Sequence, residues 1–269
     1  MSMSLISRRQ FLTLPLVVVM PSRPRALAQA AAPTPGQIVK GTYAADVSIL
    51  YDMLTLRLEG GIEETIDRGS GEYRVRMVGT GRGIANRFDS SGILRNERWA
   101  PVRSESWFDV YGRQSRTEVA YDWGRERIEY HARGETFFLR RVRVVDDVLS
   151  VAGGTHVDDV MSATLNYADG RWKADADGAR RTLVVRRRRA DDEGPDDVAK
   201  SYRAEVVTLD LKAAPDTSGK ATALFDLSRF SSWAKPSQPA RIIFGHSRRP
   251  ELITTSMILG TSVTIRFSS

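Results

Sequence analysis

His156, Asp158, Asp159 and Ser162 form the densest set of groups in this chain that could do chemistry. An imidazole with two carboxylates close by can ligate a cation or exchange protons near neutral pH. The same spacing also fits a plainer role, because an aspartate that opens a helix accepts hydrogen bonds from the orphan amides of the first turn. We favour the helix cap, assign no catalytic or metal-binding residue, and keep these four side chains as candidates for function. His131 and His246 lie far from them in sequence, and no histidine sits in a metal-ligand spacing such as H-E-x-x-H.

Other motifs resolve in the same direction. Gly79-Thr80-Gly81-Arg82-Gly83 has the composition of a phosphate loop. It lacks both the third glycine spacing and the following helix that a dinucleotide site needs, so a strand connection is predicted in which glycine supplies unusual dihedrals. Arg186 to Arg189 could bind phosphate or an anionic lipid, but Asp191, Asp192, Glu193, Asp196 and Asp197 follow at once. A solvated, self-compensating hairpin is the expectation there. No G-x-S-x-G elbow accompanies the serines. The chain has no cysteine, which excludes thiol catalysis, cysteine-ligated zinc, iron-sulfur clusters, covalent c-type haem and disulfides. The sequence names no cofactor. Trp99, Trp107 and Phe108 could line a ligand cavity, although core and cross-strand packing accounts for them more simply.

The elements that must position these groups are strands. In Thr55 to Glu59 the leucines share one face, and Glu72 to Met77 repeats the alternation after an Asp67-Arg68-Gly69-Ser70-Gly71 turn, which predicts a hairpin. Further strands are expected at 103–111, 115–123, 126–131 and 137–145, then at 181–186, 202–211, 221–227, 241–244, 251–259 and 261–267. The segment from His156 to about Tyr167 departs from this period. Val160, Met161, Thr164 and Leu165 have helical spacing there. The expected fold is mainly β: a large antiparallel meander forming a curved sheet or open barrel, with one short helix near residues 157–167. No repeat of fixed period is evident.

The first thirty residues read as an address. Ser7, Arg8, Arg9, Phe11 and Leu12 match a twin-arginine export signal, which implies the twin-arginine translocase as a partner during export. The apolar run from Phe11 to Met20 contains Pro15 and is about half the length needed to cross a bilayer, so a removable signal is predicted and no membrane span in the mature chain. Small-x-small patterns place cleavage near residues 28–30, ahead of a linker at 31–40 and a single β-rich domain at 41–269 in the periplasm. The leader holds four arginines and no acidic residue, so its loss lowers the net charge from +7 to +3. That small surplus argues against nucleic acid as a partner.

The order of these parts brings a family into view. The Tyr43 entry strand, Tyr121-Asp122-Trp123, the Asp158 to Ala163 segment, and Trp233 followed by Arg248-Arg249-Pro250 resemble the exported bacterial family catalogued as domain of unknown function 3108. Leu165-Asn166-Tyr167 departs from the arginine expected in that family's helical segment. The resemblance implies a curved or barrel-like β domain in the periplasm and supplies no catalytic residue. The expected function is noncatalytic: binding an apolar or amphipathic envelope ligand in a β cavity, or assisting envelope assembly. A periplasmic hydrolase of envelope polysaccharide, working through Asp158 or Asp159, is the alternative.

Overall fold

Alternation of apolar and polar side chains produces long strands, and in the computed structural model these join into one fifteen-stranded sheet. The structure describes residues 36–190, 193–215, 220–235 and 237–268; the expected export signal and cleavage sites lie outside them. A first meander comprises β1 (Gln37–Ile49), β2 (Leu54–Asp67), β3 (Glu72–Gly81), β4 (Ile84–Arg95), β5 (Arg98–Val110), β6 (Arg113–Asp122), β7 (Arg127–Glu135) and β8 (Val142–Ser150). The short strand β9 (Val157–Asp158) and helix α1 (Val160–Ala168) follow. A second set comprises β10 (Ala179–Arg187), β11 (Ala204–Pro215), β12 (Ala221–Phe225), β13 (Ala240–Phe244), β14 (Pro250–Ser256) and β15 (Ser262–Ser268). Among the described residues, every pairing is antiparallel except β9 with β10.

The two sets are joined at the ends of the described chain. β15 pairs with β1, Tyr43 opposite Phe267 and Ala45 opposite Ile265, so the middle of the chain supplies the free edges, β8 and β9. The sheet curls without closing its ladder. Where β8 approaches β11, a side chain spans the gap: Asp147 accepts from the Ala204 amide at 2.9 Å and from Arg203 at 3.0 Å. No helix among the described residues is long and apolar enough to cross a membrane, which says nothing of a β-barrel.

Inside the curl, Leu56 and Leu58 are buried while Arg57 and Glu59 are exposed. Tyr43 lies across β2 and β3 to donate its hydroxyl to Asn86 on β4. A Cβ at Gly79 would sit 2.1 Å from that hydroxyl, and one at Gly60 would meet the ring at 2.7 Å, so both positions must be bare. α1 also packs within the sheet. Leu165 joins Ile66, Tyr73, Val75 and Trp99 of the first meander, while Ala163 and Tyr167 join Leu211, Ala223 and Phe244 of the second set, with Trp172 from the segment between α1 and β10. The helix thus fastens one half of the sheet to the other, and full burial of a side chain such as Leu165 contributes roughly 1.5–3 kcal/mol.

Several expected boundaries move. β1 begins at Gln37, so residues 37–40 of the expected linker are strand, paired with β2. α1 begins at Val160, because Val157 and Asp158 are held as a strand by Leu183 and Val184. The strand expected at 137–145 lies at 142–150. Phe137 and Phe138 instead pack on Trp233, and the turn is closed by the Thr136 amide donating to Arg141 and by Asp196 accepting from the Phe138 and Leu139 amides. Residues 258–260 form a 3₁₀ turn where strand was expected to continue. β4 escaped sequence reading because its inward positions include Asn86, Ser90 and Gly92, which hide the alternation.

Candidate functional site

The structure brings His156, Asp158, Asp159 and Ser162 together at the start of α1, and it binds them to each other and to the sheet. Asp158 is fully buried. Its Oδ1 meets His156 Nε2 at 2.9 Å and accepts from Ser162 Oγ at 2.8 Å and Asn166 Nδ2 at 3.0 Å. Its Oδ2 accepts from Arg98 at 2.8 Å and Thr182 Oγ1 at 2.6 Å. Five polar partners fill the roughly four lone-pair sites of a carboxylate, leaving no acceptor capacity for a ligand or a proton in flight. Ser162 Oγ is committed to Asp158 and to the Asp159 amide, so His156 does not activate it as a nucleophile.

Asp159 is the N-cap. It accepts from the Ser162 amide at 2.7 Å, and Ser162 Oγ accepts from the Asp159 amide at 3.0 Å, a reciprocal capping box. Its second oxygen accepts from Ser90 Oγ at 2.6 Å, and Ser90 also bonds the Tyr73 hydroxyl. Burial pushes the Asp159 carboxyl up to about 6, with these hydrogen bonds pulling the other way and Asp158 adding to the rise. Burial, with Asp159 nearby, also raises the Tyr73 and Tyr121 hydroxyls. Asn166 completes the fastening: it accepts from the Trp99 amide and donates to the Trp99 carbonyl, both at 2.8 Å. The sequence reading names neither Arg98, Thr182 nor Ser90, and does not connect Trp99 or Asn166 with this cluster, since contacts such as Arg98 with Asp158 and Asn166 with Trp99 span tens of residues.

The remaining candidates scatter. His131 pairs with Asp146 across β7 and β8, and His246 is exposed in the β13–β14 turn. Gly83 adopts a left-handed conformation in the β3–β4 turn, but Gly79 and Gly81 are strand residues kept bare by close neighbours. Trp99 is core, whereas Trp107 and Phe108 line a cavity. The arginine run corrects an expectation in part: Arg186 and Arg187 are recessed, and among the described residues, which leave out Asp191 and Asp192, the run pairs with Glu193 and Glu205. Arg186 pairs with Glu205 at 2.7 Å and Arg187 with Glu193 at 2.5 Å, their side chains 18% and 17% exposed, while Arg188 is exposed.

Two half-open chambers lie beside α1. A polar one of about 370 Å³ has Tyr121, Tyr130 and Asp159 on its walls and Arg143, Arg186 and Arg187 among its lining. An apolar one of about 390 Å³ is lined by Ile62, Met77, Ile253, Ile265, Phe267 and Phe108, among others. The apolar chamber carries a half-buried ion pair, Glu64 with Arg249 at 2.5 Å. Burial raises the Glu64 carboxyl despite that partner. Phe88, Ser106 and Val160 line both chambers. Val160, the first residue of α1, is 66% exposed where five of its helix-mates are buried, and it lines both chambers. Each volume falls within the range of small-molecule sites.

No family model matches the chain, and no curated protein matches it. Among solved structures, the chain is similar to a beta-barrel-like protein of domain of unknown function DUF1849 from Brucella abortus. The two share 9% sequence identity with a TM-score of 0.40, the match covering 88% of this chain and 98% of that one.

Proposed function

We propose that this chain is a noncatalytic protein of the bacterial periplasm that holds an apolar or amphipathic envelope ligand inside its curled sheet. One observation carries the reading: two chambers, one apolar and one polar, meet at Phe88, Ser106 and the exposed Val160. A β15 face of Val263, Ile265 and Phe267 that is only half-buried fits a wall facing a cavity better than a filled core. The leader motif at Ser7 to Leu12 supports export through the twin-arginine route, and the resemblance to domain of unknown function 3108 supports an envelope setting. The hydrolase alternative has no observation in its favour, because hydrogen bonds already occupy the oxygens of Asp158 and Asp159.

Native purification followed by solvent extraction and mass spectrometry tests the reading, with a bound lipid-like molecule as the expected result. Val160→Trp would fill the junction without disturbing the core, and should weaken binding of monopalmitoylglycerol at least about tenfold. An empty protein whose monopalmitoylglycerol binding is absent, or is indifferent to that substitution, would overturn the proposal. Replacing Arg8 and Arg9 by lysine should leave unprocessed precursor in the cytoplasm on fractionation.

A further inference from the structure

The polar chamber has more guanidinium groups than carboxylates on its walls: Glu135, Asp158 and Asp159 also line it, but Glu135 is paired with Arg140 and Asp158 with Arg98. Arg143 on β8, Arg186 and Arg187 on β10, and Arg189 just beyond it all line this chamber. Three of these side chains are recessed, at 16% exposure for Arg143, 18% for Arg186 and 17% for Arg187. Among the described residues two carboxylates pair with the group. Glu193 takes Arg187 and lies 3.5 Å from Arg143; Glu205 takes Arg186 and Arg188. Asp196 and Asp197 turn their carboxylates to backbone amides. Arg189 donates only to the carbonyls of Ser228, Ser231 and Glu193, and its buried Nε meets no acceptor among the described residues.

A recessed surplus of guanidinium groups favours an oxyanion. Each planar fork can take two oxygens of a carboxylate or phosphate, and a shielded setting strengthens the attraction. The apolar chamber next door has no comparable surplus, since its half-buried Arg249 is matched by Glu64. We propose that the arginine cluster holds the oxyanion head group of a single-chain amphiphile whose acyl chain passes Val160 into the apolar chamber. This rests on the ligand-holding reading above, and adds the sign of the head group and the direction in which the ligand lies.

The test titrates the purified full chain with palmitate, palmitoyl lysophosphatidate and monopalmitoylglycerol below their aggregation concentrations, and with inorganic phosphate alone, following tryptophan emission. Both anionic probes should bind at least about tenfold more tightly than the neutral one. In the Arg186→Gln/Arg189→Gln double variant that advantage should fall below about threefold, because the anionic probes lose more affinity than monopalmitoylglycerol does. Glu205 keeps Arg188 in the double variant; if it nevertheless loses its fold, Arg189→Gln alone, which strands no carboxylate among the described residues, carries the same comparison. Equal binding of anionic and neutral probes would overturn the head-group assignment and leave the ligand-holding reading standing. Binding of phosphate with no gain from an acyl chain would overturn the amphiphile in favour of a free-anion site. Failure of every acyl probe would overturn both readings.

Discussion

Two clusters of charge line the same chamber, and they differ in the ratio of guanidinium groups to carboxylates. Around Asp158, one carboxylate meets five polar side chains drawn from β5, α1, β10 and the segment before β9, so its oxygens are filled, although Arg98 Nε is without an acceptor among the described residues. Around Glu193 and Glu205, guanidinium groups outnumber carboxylates and one buried nitrogen stays unpaired among the described residues. A saturated cluster is a fastening, because breaking any bond leaves a buried group without water or partner. An unsaturated one can accept a guest without undoing the fold. The sequence draws the eye to the first cluster, with its histidine, aspartates and serine. The contrast in that ratio points to the second.

Substitutions can break this contrast, and the largest effect is expected at the hub. Asp158→Ala strands Arg98, Thr182, Ser162 and Asn166 around an empty site and should cost about 3–5 kcal/mol in urea unfolding. A variant as stable as the parent would show that the hub is not a fastening. Next comes Asp159→Asn, read as a function of pH. The Asp159 carboxyl is raised to about 6 in the fold from an ordinary value near 4, so the folded state holds its proton more tightly. Its contribution is fully present below about pH 4 and is lost as pH rises through about 6, on the order of 2–3 kcal/mol. Asparagine can keep the cap, and should remove that part of the slope; parallel pH profiles for parent and variant would refute the assignment.

Asn166→Ala is expected to follow at about 1–3 kcal/mol, since it leaves the Trp99 amide and carbonyl without their partner. Hydrogen exchange at Trp99 should rise with it, and unchanged protection there would place the fastening elsewhere. The smallest effect on folding is expected at the second cluster. Arg186→Gln should change stability by less than about 1 kcal/mol, because Glu205 retains Arg188. A loss as large as that at Asp158 would make the arginines a second fastening and end the contrast.

Legibility in the sequence follows the range of the interaction. The leucines of β2 and the β2–β3 hairpin could be read because each strand repeats its inward face every second residue. The cap could be read because Asp159 and Ser162 are three positions apart. β4 could not, since Asn86, Ser90 and Gly92 face inward to serve Tyr43, Asp159 and a close strand contact. Nor could the chambers. Phe88, Ser106 and Val160 share no motif, and Arg143 meets Glu193 only after β8 comes round to the segment beyond β10.

Local chemistry alone therefore settled the strand-rich character of the chain and its cysteine-free, core-dependent stability, because alternation, capping and composition act within a few residues. Tertiary structure decided the pairing of β15 with β1, the seating of α1 between the two halves, and which of two charged clusters is spent and which is open. Those outcomes depend on burial and on hydrogen bonds between residues far apart in the chain, such as Arg98 with Asp158 and Glu64 with Arg249. Only the folded sheet brings such pairs within reach and shows whether water or a partner remains to satisfy them.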